Sequence, residues 1–125
     1  MKQVIRIPDA PSSPLYSQGV KVGNLVYVTG MVGVDVATGK PAGPTIQEQT
    51  RQALVNCRAV LTAAGATLDD VLEVGVLLLH PSDFAGMNEA YGTWFGDAPP
   101  TRYTTKLGAE IPGILVSIRM TAQIG

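Results

Sequence analysis

The sequence predicts an α+β fold of one domain, residues 1–125. Three observations carry the prediction. A segment capped at Thr45 and stopped at Gly65 repeats apolar residues every three or four positions, and the last dozen residues alternate in polarity. Short β-rich stretches flank both helical segments.

The first strand is read in Gln3 to Ile7, which alternates in polarity. Pro8, Pro11 and Pro14 then restrict the backbone and keep it out of regular structure through Ser17. Val20 to Val22 and Leu25 to Thr29 are β-rich, and the Gly23-Asn24 pair between them suits a tight turn. Val32 to Val36 continues as another strand, and residues 37–44, dense in Gly and Pro, read as a loop.

Thr45 is the expected N-cap of the first helix, with Glu48 completing a capping box. Ile46, Thr50, Ala53, Leu54, Cys57, Leu61 and Ala64 form its buried stripe, and Gly65 supplies the stop. Leu68 or Asp70 opens a lead into Val71 to Leu79. This segment is apolar on both faces, so it reads as a central strand covered on both sides. Ser82 is the expected cap of a second helix burying Phe84, Met87, Tyr91, Trp94 and Phe95, which the sequence GDAPP ends. Two strands follow, Arg102 to Gly108 and Ile114 to Ile124. In the last, Ile114, Val116, Ile118, Met120, Ala122 and Ile124 face one way and Leu115, Ser117, Arg119, Thr121 and Gln123 the other. The predicted arrangement packs both helices on one side of a mixed sheet.

Composition narrows the function. Apolar residues make up 46% of the chain and charged ones 15%, a rich balance for so small a domain. The surplus predicts an oligomer in which the uncovered sheet face meets other subunits. The net charge is −1, the isoelectric point about 5.7, and the nine Lys and Arg residues are scattered. Without clustered cations to neutralise phosphates, a dedicated nucleic-acid binder is not expected. The N-terminal MKQVIRIPDAP lacks a signal-peptide core, and the longest apolar run, Val74 to Leu79, is too short to cross a bilayer. The expected compartment is the cytoplasm, with no membrane partner. No phosphate loop, nucleophile elbow or dinucleotide fingerprint is present, so no cofactor is expected.

Among single residues Arg102 stands out. It follows Pro99 and Pro100, and its guanidinium offers two parallel donors that match a carboxylate. A solvated surface arginine is the plain alternative. Gly30, at the end of an apolar strand, leaves its backbone open to a ligand or simply makes a bulge. Tyr16 sits in the proline-restrained loop, aimed at a site or merely packed. Asn88 lies within the second helix, where Asn is a mediocre former, and binds or is solvent-exposed. Cys57 falls on the buried stripe and reads as core. His80 has no partner at metal spacing, and Asp69-Asp70 read as a capped turn, so no metal site is expected.

Taken together, PLYSQGVKVGNLVYVTGMVGVDVATG, DFAGMNEAYGTWF and PTRYTT resemble the Rid (YjgF) family over nearly the whole chain. The resemblance implies a chorismate-mutase-like α+β fold and a homotrimer whose sheets form a central barrel, with three sites in the clefts between subunits. It implies hydrolysis of reactive enamines and imines, such as 2-aminoacrylate, to 2-keto acids and ammonia. Arg102 matches the family's carboxylate-binding arginine and Gly30 the glycine whose amide supports the same carboxylate. Tyr16 and Asn88 match cleft-lining positions.

Three positions depart from the pattern. Active deaminases carry a glutamate on the last strand, fifteen residues after the arginine, that positions the attacking water; here it is Ser117. Thr104 stands where cysteine is common, and Met31 where glutamine often follows the strand glycine. A serine hydroxyl holds a water but supplies neither the charge nor the basicity of a carboxylate. Glu110 is the one nearby carboxylate, expected in the turn before Pro112. Three readings follow. The first is a 2-iminobutanoate/2-iminopropanoate deaminase with Arg102 and Ser117 at the reacting centre. The second is a regulatory trimer that binds small carboxylates in the cleft without fast chemistry. The third, a ribonuclease or translation inhibitor, is opposed by the acidic charge and the absence of a basic groove.

Overall fold

In the computed structural model, which describes residues 1–125, strict alternation in the last strand organises the sheet. Strand β8 (Val116–Gln123) buries Val116, Ile118, Met120 and Ala122 and lies at the centre of six strands. Its neighbours are β3 (Leu25–Val32) and β6 (Val71–Leu78), both antiparallel to it. Strands β2 (Gly19–Val22) and β1 (Gln3–Ile5) extend the sheet beyond β3, and β7 (Thr101–Lys106) pairs parallel to β6 at the opposite edge. The order is therefore β1-β2-β3-β8-β6-β7, a mixed sheet.

Both helices cover one face. Helix α1 (Ile46–Ala63) starts where Thr45 Oγ1 accepts from the Glu48 amide at 3.2 Å. The reciprocal half of the expected box is not made, because the Glu48 carboxylate turns towards Gly43 instead. Every residue of the predicted α1 stripe is buried. Cys57 is fully buried and donates to the Ile118 carbonyl at 3.3 Å, and burial pushes its thiol up to about 12. That makes it core, not nucleophile. The Asp69-Asp70 turn is a short 3-10 helix, capped by the Asp70 carboxylate on the Thr67 amide at 2.8 Å.

Several boundaries differ from expectation. The first strand ends at Ile5, because the Ile7 amide bonds the Gln18 side chain at 2.6 Å and not a neighbouring strand. Strand β3 runs on to Val32 through Gly30, with its register against β8 shifting between Val28 and Met31. The expected strand at 32–36 shrinks to β4 (Val34–Asp35), which pairs with β5 (Lys40–Pro41) inside the segment read as loop. Asp83, not Ser82, precedes the second helix, α2 (Phe84–Tyr91), and its side chain makes no capping bond. Trp94 and Phe95 lie in the turns beyond α2, and Phe84 is 47% exposed, not buried. The far face of β6 is also open within one chain: Leu72 is exposed and Leu77 half-buried. A second cover for that strand is absent from the chain itself.

Three buried amide side chains fasten the loops to this frame. Gln18 bonds Ile7 twice and also the carbonyls of Ala10 and Pro11, which locks the proline segment. Gln49 bonds the carbonyls of Gly43 and Gly113 and the Leu115 amide. Asn56 holds the carbonyls of Val32 and Val34. Each satisfies backbone groups that no ladder reaches.

Candidate functional site

Arg102 is placed by the sheet register. Val28, Met120, Val74 and Arg102 form one row across the sheet, and Val28, Met120 and Val74 are buried against the helices. Arg102 therefore extends from the edge strand towards α2. Its guanidinium carbon lies 4.8 Å from the Tyr91 ring centre and 5.7 Å from that of Phe84, and Nη1 approaches the Met87 sulfur at 3.9 Å. Residues 84, 87 and 91 repeat at helical spacing, so one stripe of α2 builds the whole cradle.

No carboxylate answers this charge. The one ion pair in the chain is Arg119 with Glu73 at 3.1 Å, on the other face of the sheet. Two further polar atoms beside Arg102's helix lack partners: Asn88 Oδ1 and the hydroxyl of Tyr91, a residue only 8% exposed. Burial raises the Tyr91 phenol above its ordinary range, and the nearby Arg102 charge partly offsets the rise. The Arg102 guanidinium and the Tyr91 hydroxyl are donors suited to an anion, whereas Asn88 Oδ1 can only accept and would need a donor. Thr104, two residues along the same face of β7, joins Phe84, Leu78, Pro81, Thr105 and Lys106 around an adjoining groove of about 290 Å³.

The remaining candidates assemble elsewhere. Ser117 lies in the row Val32, Ser117, Leu77, Thr105, on the face away from the helices. Gly30 lies beside it: a Cβ at position 30 would stand 2.8 Å from Ser117 Oγ, so only glycine leaves both the hydroxyl and the strand backbone reachable. Tyr16 is 45% exposed, two residues before the point where the Gln18 carbonyl accepts from the Thr29 amide at 2.9 Å, next to Gly30. Nearly half of its surface is left uncovered within the chain. Glu110 is exposed in the β7–β8 connection, around a hollow with Leu79, Ile111, Pro112 and Gly113, and with none of the candidate residues.

Within one chain, then, the candidates form two groups. Arg102, Thr104 and Asn88 stand on the helix side at the sheet edge; Gly30 and Ser117 stand at the β3–β8 seam, with Tyr16 in the loop that leads into β2 on the other side of β3. One strand, β6, and the thickness of the sheet separate Arg102 from Ser117. Sequence reasoning also missed Tyr91 and Phe84 as Arg102's partners, though their spacing from Met87 carried the signal.

The family model described as Endoribonuclease L-PSP matches residues 8–124. The chain belongs to the Rid (YjgF) family. Among its relatives, this Rid chain is 40% identical over 124 residues to a RutC family protein of Pyrococcus horikoshii, covering 98% of both. It is 34% identical to the 2-iminobutanoate/2-iminopropanoate deaminase of Mus musculus, covering 100% of this chain and 93% of the mouse protein. Solved structures superpose closely. RidA from an Antarctic Psychrobacter matches with a TM-score of 0.90 at 35% identity, covering 98% and 99% of the two chains. E. coli TdcF with bound serine matches with a TM-score of 0.91 at 28% identity, again covering 98% and 99%. The mixed α+β architecture with two helices is thus the family's own.

Proposed function

We propose that this Rid protein binds 2-imino and 2-keto acids through Arg102 and hydrolyses the imines to keto acid and ammonia, as a homotrimer with its sites between subunits. The observation that carries this reading is the unpaired Arg102 guanidinium, held over two rings beside two orphaned polar atoms. Relatives at 34–36% identity that carry the name 2-iminobutanoate/2-iminopropanoate deaminase support the chemistry. The separation of the two residue groups supports the assembly. A ligand that touches both Arg102 and the Gly30–Ser117 pair needs the second group from a neighbouring copy. The uncovered face of β6 offers apolar surface for that contact.

The chemistry needs little machinery. Arg102 fixes the carboxylate, and the Gly30 backbone supports it, so the imine carbon is held at one place. Water adds to that carbon, its proton passes to the nitrogen, and the carbinolamine collapses to ketone and ammonia. Ser117 holds the water by hydrogen bonding but is a weak proton acceptor. Turnover is therefore slow relative to a site with a carboxylate at that position. Ser117 equally favours the second reading, a trimer that binds keto acids without useful turnover. Mixing the protein with a pyridoxal-phosphate dehydratase and its amino-acid substrate, and following keto-acid release, separates the two. Release faster than the spontaneous rate is expected; release at the spontaneous rate with keto-acid binding intact leaves the binding reading.

A further inference from the structure

The groove beside Arg102 contains a second cation that imine hydrolysis does not use. Arg102, Thr104 and Lys106 share one face of the edge strand, and Lys106 stands in register with Leu78, whose side chain is buried on the helix side. Lys106 borders the 290 Å³ groove with Leu78, Pro81, Phe84, Thr104 and Thr105. Phe84 links the two cations: its exposed ring lies 5.7 Å from the Arg102 guanidinium carbon and forms the groove wall. Neither cation pairs with an acid, since the chain's one ion pair is Arg119 with Glu73.

We propose that Lys106 receives the distal carboxylate of a dicarboxylic 2-keto or 2-imino acid whose first carboxylate sits on Arg102. This rests on the reading of Arg102 given above. Four residues along a strand place the two Cα atoms about 13 Å apart. Arg102 stays in its cradle, and the long, exposed Lys106 side chain can swing its ammonium towards it to close on the far end of a short diacid. Between them, the aliphatic Leu78 and the Phe84 ring suit the diacid's methylene groups, and the Thr104 hydroxyl can donate to the 2-oxo oxygen. A monocarboxylic acid of the same length leaves Lys106 idle.

Calorimetric titration with 2-oxoglutarate and with 2-oxopentanoate, matched in chain length, tests the proposal. The native protein should bind the diacid about fivefold more tightly, the scale of one solvent-exposed ion pair. Lys106→Met should erase that preference while leaving 2-oxopentanoate binding unchanged, and Lys106→Arg should keep it. Equal affinity of the native protein for both acids overturns the proposal and leaves the Arg102 reading standing. So does a diacid preference that survives Lys106→Met. Binding of neither acid to the native protein overturns both. Lys106 is exposed, so its replacement does not endanger the fold.

Discussion

The Arg102 cradle and the Gly30–Ser117 seam answer to different physics. The seam lies between interior strands, where β3, β8 and β6 satisfy one another's backbone groups, and what it offers is shape and one hydroxyl. The cradle lies on an edge strand and a short helix, with a charge and two polar atoms that nothing in the chain satisfies. Under the proposed function, binding falls to the cradle and the choice of reaction to the seam. On that reading, a serine in place of the glutamate changes the chemistry and leaves carboxylate binding to Arg102.

Changing the seam should produce the largest effect. Ser117→Glu restores a carboxylate where water is to be held, and imine hydrolysis should rise by about 10²–10⁴-fold. Stopped-flow release of 2-oxopropanoate from 2-iminopropanoate measures it. No gain in a variant that still binds keto acids would break the assignment of reaction choice to the seam.

The cradle should respond in affinity. Arg102→Ala should cost on the order of 2–5 kcal/mol in 2-oxobutanoate binding, with the melting temperature little changed. Mixed trimers sharpen the same point. Co-refolding Arg102→Ala chains with Ser117→Tyr chains should regain part of the binding that each homotrimer lacks, because some clefts then draw both intact groups. Absence of recovery would mean that the two groups do not meet across an interface.

Smaller effects test the supports. Gln18→Ala leaves the Ile7 amide and three carbonyls without partners, so about 1–3 kcal/mol of stability should go. Hydrogen exchange should speed up around Tyr16 while the cradle stays protected. Cys57, beneath the Ile118 carbonyl, gives a pH test. Its folded value of about 12 lies above the ordinary 9.0, so its contribution to stability is complete below pH 9. That contribution is lost as the pH climbs from 9 towards 12, where the unfolded thiol ionises first. Chemical denaturation across that window should show a steeper slope in the native chain than in Cys57→Ala, which keeps the contribution of the buried Tyr91 phenol. Tyr91→Phe should change least: it removes a hydroxyl without a partner, so stability should hold, while keto-acid affinity falls by about 1 kcal/mol.

How much of this could be read from the sequence follows the strength of the periodic signals. The α1 stripe and the alternation of β8 were legible because each repeats over many residues and each is buried as its period requires. The end of α2 was not. Trp94 and Phe95 continue the helical spacing, but the chain turns after Tyr91 and they pack as a turn. Gly30 and Arg102 were legible as candidates from the punctuation around them, whereas their separation was not, since it depends on strand order and sheet face. Gln18, Gln49 and Asn56 were missed because an amide in sequence looks solvated. Gln49 and Asn56 did leave a trace, as polar residues adjoining positions of the apolar stripe.

Gln49 has a further consequence for how this architecture can vary. Its amide grips Gly43 on one side and Gly113 and Leu115 on the other, joining loops seventy residues apart in the chain. It acts as a length gauge: residues added to the exposed stretch 108–111 can bulge outward, but one added between Gly113 and Leu115 pulls the carbonyl and the amide off the same side chain. Insertions and peptide tags should therefore be accepted on the near side of Gly113 and refused on the far side, whatever their composition.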